Sequence, residues 1–91
     1  MSLSIDWQAP VLTLSGELDR NTVPLLWQQR RNYADLATID VAALARVDTA
    51  GLAMLLTLCE QHDKAQVRGA SERLRKLAEL GNLNRIIPLA E

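Results

Sequence analysis

The chain has one cysteine and one histidine in 91 residues. A single thiol, Cys59, makes no internal disulfide, which suits a reducing compartment. It falls on an apolar helix face and reads as a buried, inert thiol. His62 has no Cys or His partner at metal-ligand spacing, so it reads as a solvated residue in a helix C-terminal turn and no metal site is expected. The four glycines, Gly16, Gly51, Gly69 and Gly81, are scattered and make no phosphate-cradling loop. Charge of one sign is missing too. Ten Lys and Arg stand against 11 Asp and Glu, a net charge of −1. That argues against nucleic-acid or anionic-membrane binding by bulk charge. The longest apolar run, Ala50 to Leu56, falls far short of the ~20 residues that cross a bilayer. Met1-Ser2-Leu3-Ser4 has no basic region followed by an apolar run, so no secretory leader is expected. There are no internal repeats, low-complexity segments or linkers. These absences point to a soluble cytoplasmic protein of one domain, residues 1–91, with no cofactor and a modest core.

The periodicities supply the elements. Leu3, Ile5 and Trp7 alternate with polar residues, Gln8-Ala9-Pro10 is a turn, and Val11, Leu12 and Leu14 make a second strand ending at Ser15-Gly16. Glu17 to Asn21 reads as a polar loop. Asn21 or Thr22 can cap a helix that tolerates Pro24 in its first turn and runs to about Tyr33. Trp27 lies toward the edge of that helix's apolar face, with Arg30 and Arg31 within one turn. It reads equally as a core anchor and as an interface hot spot, where tryptophan and arginine concentrate. A short buried strand is expected from Thr38 to Val41, and another at Ala65 to Arg68. Ser71 caps a third helix with Leu74, Leu77 and Ala78 on one side and Arg73, Arg75 and Lys76 on a solvated face. Leu80-Gly81-Asn82 carries its C-terminal signal. Ile86, Ile87 and Leu89 pack back, with Pro88 stopping further structure. The order strand, strand, helix, strand, helix, strand, helix, with right-handed crossovers, predicts an α/β fold: a mixed four- to five-stranded sheet with helices mainly on one face.

Arg46-Val47-Asp48-Thr49-Ala50-Gly51-Leu52 is where polar side chains, a glycine and a helix start converge. Leu52, Leu55, Leu56 and Cys59 mark one face of a helix from Ala50 to about Asp63. Asp48 or Thr49 occupies its N-cap, and Gly51 in the first turn permits a close backbone approach. The helix is apolar over more than half its circumference, so it is either buried on both sides or docked to something else. Met54 and Leu58 fall beside the main face, with Ala53 and Thr57 beyond them, and small or flexible apolar residues such as Ala53 and Met54 suit a partner surface.

This element order, with Val47 to Leu52 opening the second helix, resembles a STAS domain. In the anti-sigma-factor antagonists of that family, a strand end is followed by Asp, Ser or Thr, a small residue, Gly and Leu. The hydroxyl phosphorylated there by a partner kinase maps onto Thr49. Leu14-Ser15-Gly16-Glu17-Leu18-Asp19, with Leu26-Trp27 behind it and threonine in place of serine, is similar to the stand-alone STAS subunits of phospholipid ABC transporters. These serve outer-membrane lipid asymmetry in Gram-negative bacteria. The resemblance implies a non-enzymatic subunit that binds the transporter's ATPase and supports its assembly and activity. It would sit peripherally at the inner membrane, tied to the permease only indirectly and without inserting itself. The implied contact residues are Thr49, Asp48, Ala50, Gly51, Ala53, Met54, Thr57 and Trp27, on a docking helix from Ala50 to Leu58.

Three other readings compete. A phosphorylation-switched anti-sigma antagonist has the same fold and a different partner. An enzyme would need a nucleophile–base pair, and His62 lies more than three helical turns beyond Thr49. A small-lipid carrier needs a cavity that 48% hydrophobic residues does not demand.

Overall fold

The computed structural model describes residues 2–62, 65–82 and 89–90. The alternation at the start forms strand β1 (Leu3–Gln8), and Ala9-Pro10 returns the chain as β2 (Val11–Leu18), antiparallel to it. Strand β2 runs beyond the expected stop at Ser15-Gly16. Glu17 and Leu18 stay in the ladder opposite Arg46 and Val47, so Leu18 is a buried strand residue and not part of a loop. Helix α1 (Val23–Gln29) is followed by a tighter 3-10 turn, Arg30–Asn32, where one continuous helix to Tyr33 was expected. The tighter turn ends on the Tyr33 N–H donating to the Arg30 carbonyl. Tyr33 is buried there, its ring 5.2 Å from that of Trp7.

Strand β3 (Thr38–Val47) spans ten residues instead of stopping at Val41. Helix α2 (Thr49–Gln61) follows, with His62 in extended backbone as its C-cap. The helix thus ends at Gln61, and the expected end near Asp63 lies outside the described residues. Strand β4 (Gln66–Arg68) leads to helix α3 (Glu72–Leu80). Ser71 caps α3 as expected, its hydroxyl accepting from the Leu74 N–H at 3.1 Å. At the other end Gly81 is the C-cap, and the left-handed residue beyond it is Asn82, at φ 56°. Leu89–Ala90 forms β5 beside β4, so structure continues past the stop expected at Pro88, because Leu89 and Ala90 pair with Val67 and Arg68; the expectations for Ile86 and Ile87 lie outside the described residues.

The sheet order is β1-β2-β3-β4-β5, with every pair after the first parallel. Each crossover therefore steps one strand in the same direction. Right-handed crossovers then place α1, α2 and α3 on one face, with α2 in the middle. The registers agree. Ile5, Trp7, Leu12, Leu14, Ile39, Val67 and Leu89 align across the strands as one apolar face. Ser4, Asp6, Thr13, Ser15, Asp40 and Arg68 align on the other, where Asp40 and Arg68 pair at 3.0 Å. The core between sheet and helices holds Leu12, Leu14, Leu18, Leu26, Ile39, Leu55, Leu58 and Val67, all at 0% exposure. Each such side chain stabilises by roughly 1.5–3 kcal/mol relative to its exposed state.

Candidate functional site

Strands β2 and β3 end side by side at Leu18 and Val47. Two loops leave that edge, one into α1 and one into α2, and Asp48 joins them. Its Oδ1 accepts from the Gly51 N–H at 2.9 Å, the N-cap bond of α2. Its Oδ2 accepts from the Arg20 N–H of the other loop at 3.1 Å. The Asp48 N–H in turn donates to the Leu18 carbonyl at 3.3 Å. Burial alone would raise the Asp48 carboxyl. The backbone N–H groups of Gly51, Arg20 and Ala50 and the Arg46 charge together outweigh it and hold the group below the usual carboxylate range. The N-cap is therefore Asp48, and Thr49 is the first helical residue, exposed. Gly51 is needed for a steric reason. A Cβ there would collide with the Leu18 carbonyl oxygen, so only glycine lets the first turn of α2 sit against the end of β2.

The loop into α1 is fixed the same way. Asp19 is buried, at 6% exposure, although it reads as part of a polar loop. Its Oδ1 accepts from the N–H groups of Asn21 and Thr22 at 2.9 and 3.1 Å. The Thr22 hydroxyl accepts from the Asp19 N–H and donates to the Glu17 carbonyl, each at 2.9 Å. This reciprocal pair closes the turn before Val23. The three-residue spacing of Asp19 and Thr22 ahead of Pro24 was the available sequence signal, since it is that of a capping box. The Arg20–Asp48 bond had none, because its partners lie 28 positions apart.

Asp19, Arg20, Asn21, Arg46, Asp48 and Thr49 line a depression of about 420 Å³ that opens to solvent. Along α2, Ala53 is exposed and Ala50, Leu56 and Thr57 are half-buried. The Thr57 hydroxyl donates to the Ala53 carbonyl at 2.9 Å. Met54 does not join them. It is 4% exposed and belongs to the core cluster, because α2 has α1 packed beside it as well as the sheet below. Cys59 is buried as expected, and burial pushes its thiol up to about 11. Helix α1 packs beside α2. On it Trp27 is 41% exposed and Leu25 43%, so Trp27 is not a core anchor. The Arg30 guanidinium lies 3.8 Å above the centroid of the Trp27 ring. Among the described residues no group of three His, Cys, Asp or Glu side chains could hold a metal. Both Asp48 carboxylate oxygens accept backbone N–H groups, one from each loop, which positions the Thr49 segment.

Comparison with known proteins gives a consistent result. The family model described as "Mlab, STAS domain" matches residues 1–89. The "Intermembrane phospholipid transport system binding protein MlaB" of Escherichia coli K12 is 37% identical over 90 residues, covering 91% of this chain and 93% of that protein. The protein of the same name from Shigella flexneri matches to the same extent. Among solved structures, the unphosphorylated anti-sigma factor antagonist SpoIIAA superposes with a TM-score of 0.72 at 18% identity, covering 99% of this chain and 89% of that one. An anti-sigma factor antagonist from Mycobacterium paratuberculosis gives 0.75 at 24% identity, over 97% and 83%. At these identities the structures bear on the fold alone. The full-length family match and the identity to the two MlaB proteins go further: this chain belongs to the MlaB family of STAS domains.

Proposed function

We propose that this protein is the non-catalytic STAS subunit of an intermembrane phospholipid transport system of the Mla type. In this reading it binds the ATPase of the ABC transporter, supports its assembly and activity, and so serves outer-membrane lipid asymmetry. It works from the cytoplasmic side of the inner membrane, meets the permease only through the ATPase, and is regulated or docked at one surface. The observation that carries the reading is the 37% identity to MlaB across nearly the whole of both chains. The site is consistent with it. Trp27, Thr49 and Ala53 are exposed on α1 and α2, with Ala50 and Thr57 half-buried beside them, and tryptophan is a residue type that concentrates at interface hot spots. Asp48 and Gly51 lie under them and set their position. No helix among the described residues is long and apolar enough to cross a membrane. The antagonist reading rests on likeness of fold at 18 to 24% identity and on the exposed Thr49 hydroxyl, which leaves phosphorylation of Thr49 as its distinguishing mark.

The test is an affinity pull-down of the tagged protein from detergent-solubilised native cells, in parallel with Thr49→Glu. A glutamate in the first turn of a helix favours the helix by about 0.3–1 kcal/mol, so the fold should hold. At the centre of an interface the same charge should abolish binding. The expected result is an ABC ATPase and its permease with the wild type and neither with the variant, at unchanged thermal stability. Co-purification at wild-type levels with Thr49→Glu would place the docking surface elsewhere. Recovery of a serine kinase or sigma-factor regulator instead would favour the antagonist reading.

A further inference from the structure

Arg30 follows the last turn of α1, and three interactions hold it to Trp27. Its backbone N–H donates to the Trp27 carbonyl. Its Nη1 donates to the same oxygen at 2.7 Å. Its guanidinium plane covers the indole at 3.8 Å. The partial negative charge at the end of α1 favours a cation there as well. A guanidinium has five N–H donors. One is used on the Trp27 carbonyl, and among the described residues no carboxylate takes the others. The sequence around it is locally cationic. Residues 20 to 34 contain three arginines and no Asp or Glu, in a chain whose net charge is −1.

We propose, resting on the docking reading above, that Arg30 is the specificity-determining residue of this surface. Its free guanidinium edge takes a carboxylate from an acidic side chain of the partner protein, and the indole beneath it makes the adjoining apolar contact. The planar fork matches a carboxylate with two parallel bonds, which a lysine ammonium does not. Stacking on Trp27 fixes the fork in advance, so little side-chain freedom is lost on docking. Arg31, the next residue, is exposed and carries the same charge without the ring contact.

The experiment is a calorimetric titration of the purified transporter ATPase with the wild-type protein and with Arg30→Met, Arg30→Lys, Arg31→Gln, Trp27→Ala and Thr49→Glu, with thermal melts of each. Methionine keeps an apolar stem over the indole and removes the cation and the donors. Arg30→Met should weaken binding about tenfold, the scale of one charge-assisted interface pair. Arg30→Lys should fall between it and wild type, and Arg31→Gln should change binding by about twofold or less. Raising the salt concentration should weaken the wild type more than Arg30→Met. Melting temperatures should stay close to wild type throughout the arginine series. If Arg30→Met weakens binding no more than Arg31→Gln, or if Arg30→Lys binds as the wild type does, the inference is overturned. With Trp27→Ala still weakening binding, the docking reading would stand without it. If neither Trp27→Ala nor Thr49→Glu weakens binding, or the ATPase does not bind the wild type, the docking reading fails and this inference goes with it.

Discussion

Removing the Asp48 carboxylate tests the junction between the two loops. Asp48→Ala leaves two backbone donors without their acceptors, Gly51 N–H in α2 and Arg20 N–H in the β2–α1 loop. Loss of an N-cap side chain costs about 0.5–2 kcal/mol. The Arg20 bond is exposed, so water takes its place and adds only about 0.5–1 kcal/mol. The total is about 2 kcal/mol, which lowers the melting temperature of a domain this size by roughly 8–16 °C. Asp48→Asn keeps an oxygen for Gly51 and turns an amide donor toward the Arg20 N–H, so about half of that loss is expected. The pH dependence has a definite sign. The folded-state pKa lies below the ordinary 3.8. The stabilisation is therefore present above that value and lost as pH falls through the folded pKa. The gap between wild type and Asp48→Asn should accordingly narrow on acidification below about pH 4, since asparagine does not titrate. Urea titrations followed by circular dichroism at pH 7 and pH 3 measure both effects. A loss below about 0.5 kcal/mol for Asp48→Ala at pH 7 would refute the argument that this carboxylate holds the junction.

Gly51→Ala drives a methyl into the Leu18 carbonyl, a backbone atom of a paired strand that cannot swing aside. A cost of about 1–3 kcal/mol is expected by chemical denaturation. Met54→Ala should lose about 2–5 kcal/mol of stability, because the side chain is core; a neutral result would return Met54 to the surface. Cys59, with its thiol pushed up to about 11, should stay unreactive to a thiol reagent at pH 8 until the protein is unfolded, so a rapid native reaction would contradict its burial.

The elements that the sequence made plain are those where one period runs unbroken. The strand at Leu3–Gln8 alternates cleanly, and Ser71 stands three residues before the N–H it caps. The second half of β3 was not legible. Ala42-Ala43-Leu44-Ala45 has no β-branched residue and no clean alternation, because register shifts against β2 break the two-residue period. Pairing with Ser15 to Leu18 holds that stretch extended, and pairing between distant strands leaves no local mark. Met54 was misplaced for a related reason. An all-round apolar helix looks the same whether its flanks meet neighbouring helices or a partner, and only the position of α2 between two crossovers decides it. At the site, the motif from Arg46 to Leu52 located the helix start but left Asp48 and Thr49 interchangeable as the cap. Trp27 was undecided because one exposed edge depends on where a short helix settles against its neighbour.

The open face of the sheet offers a practical handle. Asp6, Gln8, Gln66 and Arg68 point into solvent on the side opposite the helices. A cysteine introduced at Gln66 would be the reactive thiol, because the native one is shut inside the core. A fluorophore placed there would report the arrival of a macromolecule on the helical side through tumbling or energy transfer, while lying outside the contact it observes.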